Sequence, residues 1–309
     1  MKLKLLSIPL LMTVSCGDKQ TSELQSEVGA GVLRPFTDAD PDLSSAIGRL
    51  DKLCTVFHIG DGIAASAAHC FNDDQTKEAP CISKQIKWQD GSQSQCVQVL
   101  DYKLNENEDY VVFEVDPAPA EKLKLAQVDS IENDKITIFG YPNKQALQVS
   151  EDCSASLESQ KIKHNCPTLP GHSGSPILRP DDLKVIGIHN GNYSQSLNYG
   201  SLFPQHQKSW REVREGRGEQ RQWGPFKNNS KELLYHVSSK VGKEVSFTLE
   251  YDLEDGYDFI FVQDGHQIKH QLSGKDSRRF TLPTPVIISF ESDYAGESNK
   301  VEISQIEST

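Results

Sequence analysis

From residue 53 onward the chain is dominated by short apolar runs broken by turn residues. Residues 54–59 and 63–67 flank Gly60-Asp61-Gly62, the pattern of two strands joined by a tight hairpin. Similar runs predict strands at 95–100, 110–115, 135–139 and 185–188. Many short strands with little 3.6-residue periodicity indicate an all-β domain built as a barrel or sandwich. The texture changes near residue 204. Residues 208–215 carry a short helical pattern, and Gly216, Gly218, Gly224 and Pro225 then break it, so 213–230 reads as a linker. A second β run follows, with strands expected at 245–251, 258–262, 279–282, 286–290 and 301–306, enough for one small sandwich. Two domains are therefore expected, over residues 46–212 and 231–309.

Upstream the pattern differs again. Lys2 and Lys4 precede a short apolar run over residues 5–14, the layout of an export signal rather than a membrane span. Residues 17–45 are rich in Ser, Glu, Asp and Gly without apolar periodicity and read as a tether or propeptide. The chain of 309 residues is 36% hydrophobic and 25% charged, which supports packed cores. Its net charge of −12 opposes contact with phosphate backbones, so no nucleic-acid partner is expected.

Seven cysteines are present. Setting aside Cys16, at the end of the apolar leader, leaves Cys54, Cys70, Cys81, Cys96, Cys153 and Cys166, an even number that favours three disulfides in an exported chain. Many pairings satisfy that count; sequential pairing is the expectation. Zinc is not expected, because no C-x-x-C pair occurs and the histidines lack zinc spacing.

Three segments carry chemistry. Gly171-His172-Ser173-Gly174-Ser175-Pro176 sets a serine between glycines on a tight turn, which exposes a hydroxyl and aims backbone amides at a substrate carbonyl. Ala67-Ala68-His69-Cys70 supplies an imidazole, the side chain suited to serve as base near neutral pH. Asp109 heads the apolar run Tyr110-Val111-Val112-Phe113, which sets a carboxylate at the edge of a core. Each has a plainer reading: a turn, a packed strand end, a solvated loop acid.

Together, and in this order, they resemble the chymotrypsin-like serine peptidases. That resemblance spans roughly residues 46–212. It implies an all-β chymotrypsin-like double β-barrel, followed here by a small β-sandwich. His69 would be the general base, Asp109 its orienting acid and Ser173 the nucleophile, with the amides of Gly171 and Ser173 as the oxyanion hole. Cys54 and Cys70 match the family's disulfide beside the catalytic histidine. Gly140-Tyr141-Pro142 and Ile186-Gly187-Ile188-His189 are similar to the bacterial glutamyl endopeptidases, which implies Thr168 and His189 as the walls of a pocket for a glutamate side chain. The plainer reading of His189 is a core histidine. Two positions depart from animal members: His172 replaces the acid that pairs with a new N-terminus, and Pro167 stands where trypsin-type enzymes carry a pocket aspartate.

Thr13-Val14-Ser15-Cys16 resembles a lipobox with Thr13 in place of the usual Leu, which implies a signal over residues 1–16 and lipidation at Cys16. The alternative is an ordinary cleaved signal. The C-terminal run is similar to CUB domains through Tyr257-Asp258-Phe259-Ile260, Leu272-Ser273-Gly274 and Phe290-Glu291-Ser292-Asp293. This implies a protein partner and a structural calcium ion held by Glu254, Asp258 and Asp293; the plainer reading is a sandwich appendage with solvated acids. The expectation is an exported serine endopeptidase acting on protein or peptide substrates without a catalytic cofactor, in the bacterial cell envelope or outside it, with membrane contact only through the lipid anchor. The alternatives are apolar or broad specificity, or a catalytically silent binding scaffold.

Overall fold

The structure is a computed structural model. It describes residues 31–37, 45–51, 54–71, 81, 84–128, 130–194, 196–204, 221–223, 231–237, 244–264, 267–284, 286–292 and 300–308. Cys16, the leader, most of the expected tether, the expected helix at 208–215 and Asp293 lie outside these residues. Among the described residues no helix is long and apolar enough to cross a membrane.

The first strand, β1 (Val32–Pro35), precedes two closed barrels. The first barrel comprises β2 (Ile47–Leu50), β3 (Cys54–Gly60), β4 (Ile63–Ser66), β5 (Gln85–Trp88), β6 (Gln93–Leu104) and β7 (Asp109–Asp116). All neighbours are antiparallel, and the ring closes as β5-β2-β3-β4-β7-β6 and back to β5. Its inside is filled by Val56, Val111, Phe113, Trp88 and Ile86, with Phe71 packed on Phe113 at a ring separation of 4.8 Å. Alternation along the strands directs these apolar side chains inward, and closure removes the exposed edges that an open sheet would leave.

A short strand, β8 (Lys124–Leu125), leads into the second barrel: β9 (Glu132–Gly140), β10 (Gln148–Glu158), β11 (Lys161–His164), β12 (Pro176–Leu178), β13 (Lys184–Asn192) and β14 (Asn198–Leu202). It closes as β9-β10-β11-β14-β13-β12 and back to β9. Ile136, Ile138, Ile162, Ile177 and Ile186 form its core. The disulfides are Cys54–Cys70, Cys81–Cys96 and Cys153–Cys166, the sequential pairing expected.

β1 lies inside the stretch 17–45 that was expected to be a tether or propeptide. Val32 to Pro35 pair antiparallel with Gln148 to Glu151 of β10, and Arg34 makes a two-pronged ion pair with Glu151 at 2.8 and 2.9 Å. Residues 32–35 are thus a strand of the second barrel's sheet; their apolar positions are too few and too short a run to announce it.

The C-terminal part is a sandwich of two sheets. One runs β15 (Arg221–Trp223), β22 (Lys300–Ser308), β17 (Glu244–Asp252) and β20 (Lys275–Pro283); the other runs β19 (Gln267–Leu272), β18 (Phe259–Asp264), β21 (Val286–Glu291) and β16 (Lys231–Val237). Phe247, Leu249 and Ile303 from the first sheet meet Ile260, Val262, Ile288 and Phe290 from the second. β15 falls inside the expected linker 213–230, where Arg221 to Trp223 pair with β22. β16 also pairs with β6, joining Lys231 to Leu104 and Glu232 to Lys103, so one sheet runs from the first barrel into the sandwich.

Candidate functional site

Ser66 ends β4, and a single 3-10 turn over Ala68–Cys70 follows. This turn lifts His69 out of the barrel wall, leaving its side chain 38% exposed while Ala67 and Ala68 are buried beneath it. The disulfide to Cys54 ties the turn to the start of β3. Asp109 opens β7, where the chain leaves the 105–108 turn and enters the core. Its carboxylate is buried and doubly engaged: Oδ2 lies 2.6 Å from His69 Nδ1, and Oδ1 accepts the His69 amide at 3.0 Å. Burial pulls the His69 pKa down, but the hydrogen bond and charge of Asp109 outweigh it and the net shift is upward from 6.5. With Nδ1 occupied by Asp109, the other ring nitrogen, Nε2, is the one left to exchange protons.

Ser173 sits on the loop between Thr168 and β12. The backbone there needs glycine at two points. Gly171 has φ +107° and an added Cβ would collide with the carbonyl oxygen of Tyr141; Gly174 has φ +85° and an added Cβ would collide with Thr55 O and Ser66 Oγ. The loop is clamped to the first barrel. The Thr55 amide donates to Ser173 O at 2.8 Å, and Thr55 Oγ1 donates to Gly171 O at 2.9 Å. Thr55 follows Cys54, which is bonded to Cys70 beside His69, so these contacts fix the serine loop against the histidine turn. Among the described residues the amides of Gly171 and Ser173 make no intramolecular hydrogen bond.

Asn190 joins the two barrels at this point. Its carbonyl accepts Ser173 Oγ–H at 3.2 Å, and its Nδ2 donates to Asp109 O at 2.6 Å. Its Oδ1 accepts Ser201 Oγ–H at 2.8 Å, and that hydroxyl oxygen accepts the Asp109 amide at 2.7 Å. One side chain thus holds the backbone of the acid while its own carbonyl holds the hydroxyl. In this arrangement the Ser173 hydroxyl is hydrogen-bonded to Asn190 and not to His69. Asn190 and Ser201 escape sequence reasoning because an amide and a hydroxyl on strands carry no motif.

Thr168 and His189, the expected pocket residues, are 3% and 2% exposed. His189 is one of three clustered histidines. His164 Nε2 lies 3.1 Å from His189 Nδ1, and the His172 ring centre lies 6.4 Å from that of His189. Burial lowers all three pKa values: to about 3 for His164, to about 4 for His172, and well below 6.5 for His189, which also feels the other two. They are neutral at ordinary pH. His164 Nδ1 and His172 Nε2 are buried without a hydrogen-bond partner in the structure. The structure turns His172 inward, with Nδ1 against the Leu169 backbone at 3.0 and 3.1 Å.

In the sandwich, Glu254 and Asp258 share one loop, with the Asp258 amide donating to Glu254 O at 3.1 Å. Asp258 is fully buried. Among the described residues no third carboxylate joins them. The one group of metal-ligating side chains that the described residues bring together, Cys54, His69 and Cys70, has its sulfurs committed to a disulfide.

No curated protein matches the chain. Among solved structures, a Glu endopeptidase is similar with a TM-score of 0.50 and 15% identity, over 62% of this chain and 99% of that one. The inactive form of Rv3671c protease has a TM-score of 0.43 and 12% identity, over 58% and 98%. The active form, from M. tuberculosis, has 0.42 and 14%, over 55% and 89%. The first likeness shows the double-barrel fold; the other two are too slight to add to it. A family model described as the trypsin-like peptidase domain matches residues 54–188, and that stretch holds His69, Asp109 and Ser173 together.

Proposed function

We propose that the protein is a serine endopeptidase that forms an acyl-enzyme on Ser173. The observation that carries this is the held imidazole: Asp109 fixes His69 Nδ1 at 2.6 Å, on the turn against which the Ser173 loop is clamped. Rotation of the Ser173 side chain from the Asn190 carbonyl to His69 Nε2 makes the attacking geometry. Hydrogen bonds at such sites tighten once substrate is bound. Oγ then attacks the scissile carbonyl carbon as His69 takes its proton. The carbonyl oxygen becomes an oxyanion held by the Gly171 and Ser173 amides. Collapse expels the amine, which takes the proton from His69, and water repeats the sequence to release the acid.

For specificity, His189 and Thr168 support a preference for glutamate before the scissile bond. A neutral His189 whose Nδ1 engages His164 is left with Nε2 for a carboxyl group. Export, an acyl anchor at Cys16 and a partner-binding, CUB-like role for the sandwich belong to the same reading. No step depends on calcium.

The test uses peptides ending in Glu, Phe or Lys before a chromophore, with a fluorophosphonate probe for Ser173. Cleavage after Glu and labelling, both lost in Ser173→Ala, are expected. Equal behaviour of the two proteins would leave a silent scaffold as the function, and cleavage after Phe or Lys alone would remove the pocket role of His189 and Thr168.

A further inference from the structure

Past His189, β13 runs on through Gly191 and Asn192 and turns at Tyr193. One edge of this stretch is paired: Gly191 lies opposite Tyr199 and Asn192 opposite Asn198 of β14. The other edge pairs with β12 as far as Ile188, and His189 then donates to Ser175 O and accepts the Gly174 amide, both at 2.8 Å, so the stretch from Asn190 to Asn192 is the part that runs on past Ser173. An extended peptide adds to such an edge as a further strand. Tyr193 lies three positions after Asn190, the residue that Ser173 touches, so a chain paired alongside at about 3.3 Å per residue reaches it about three residues on.

What waits there is positive. Tyr193 is 50% exposed. Lys163 Nζ stands 4.4 Å from its ring centre, and Lys161 Nζ lies 5.8 Å from that ring and 5.4 Å from the Tyr199 ring. The two lysines alternate on β11 around buried Ile162, so they share one face. The register sets Lys163 opposite Tyr199 and Lys161 opposite Ser201. Ser201 Oγ accepts the Asp109 amide, so this face is the one turned toward the catalytic acid. One carboxylate is already present: Glu158, at the exposed end of the β10–β11 hairpin, pairs with Lys163. Lys161 also attracts Glu158, without closing to ion-pair distance. In a chain of net charge −12, attraction for an acidic substrate has to be local, and this is a place where it is.

We propose that Lys161, Lys163 and Tyr193 form an acid-selective subsite for the substrate side chain about three residues upstream of the cleaved bond, with Glu158 as the internal carboxylate that a substrate displaces. The proposal rests on the peptidase reading.

The experiment uses the full chain and two fluorogenic peptides that differ only at that upstream position, Asp against Asn. At low salt the Asp peptide should show a kcat/KM about threefold to tenfold higher, as expected for exposed charges, and the ratio should fall toward one near 1 M NaCl. Lys161→Gln/Lys163→Gln should bring the ratio to one at low salt, with fluorophosphonate labelling of Ser173 reporting that the variant is folded. Glu158→Gln should raise the ratio. A ratio of one in the unaltered protein, or a ratio that survives the double substitution, overturns the subsite alone. Absence of both cleavage and labelling in the unaltered protein overturns the peptidase reading as well.

Discussion

At Asp109, two oxygens do two jobs, and only one of them concerns the imidazole ring. Oδ1 accepts the His69 amide and sets the turn; Oδ2 holds Nδ1 and sets the tautomer. Asp109→Asn keeps the shape but presents an amide donor to Nδ1, which forces the wrong tautomer. A loss of about 10⁴ in kcat is expected, the size seen for this exchange in the triad template. The raised His69 pKa gives a direction as well: kcat/KM should climb with pH through a midpoint above 6.5, measured on a neutral peptide. Asn190→Ala removes the Nδ2 donor to Asp109 O and the acceptor for Ser201, leaving buried polar groups unpaired. A fall in melting temperature corresponding to about 1–3 kcal/mol should accompany a lower kcat. At this scale the sequence was legible where a residue's chemistry is its signature. His69, Asp109 and Ser173 stand out in the sequence because the proposed roles of base, acid and nucleophile suit few side chains. Asn190, Ser201 and Thr55, which hold the three in place, do not, since any loop carries such residues and only the fold shows what they touch.

Among the elements, legibility followed apolar content. The run Tyr110–Val115 announced β7, and residues 54–59 announced β3, because both are buried nearly throughout. β10, with Ser-Glu-Asp-Cys-Ser-Ala-Ser in its middle, was not foreseen although it is eleven residues long. It is half solvated and bulged at two points, so its polar positions do not keep a strict two-residue period. β1, β5, β11, β12 and β14 are too short for periodicity to speak. The serine loop makes a sharper demand on its backbone. Gly174→Ala would place a methyl group on the Thr55 carbonyl and ask L-residue geometry to adopt φ +85°, so loss of probe labelling at Ser173 is expected even in protein that remains folded by circular dichroism. In the first barrel, Phe113 is fully buried against Phe71. Phe113→Ala should cost about 3–5 kcal/mol in denaturant unfolding.

For the whole molecule, the three buried histidines tie stability to pH. Folded, His164, His172 and His189 resist protonation; unfolded, each titrates near 6.5. Above that value both states are neutral and the cluster adds no pH dependence. As pH falls below it, the unfolded chain takes up protons that the folded one refuses, and stability drops by up to about 1.4 kcal/mol per pH unit per histidine. Melting temperatures should therefore decline from pH 7 to pH 5, and less steeply in His164→Gln. The three disulfides act on the unfolded chain, at about 2–4 kcal/mol each, so reductant should lower the melting temperature; an unchanged value would mean that the bridges contribute nothing. The shift in texture near residue 204 falls just after β14, the last strand of the second barrel. The joining of β16 to β6 has no such signal, because a two-residue rung between distant strands leaves no trace in composition.

That rung has a practical meaning for anyone who would shorten the protein. Lys103 and Leu104, to which the sandwich is stitched, are followed by a four-residue bend and then by Asp109 itself. Trimming away the C-terminal third would be no clean amputation. It would bare a backbone edge, free to fasten onto a neighbouring molecule, within one bend of the carboxylate on which the imidazole depends.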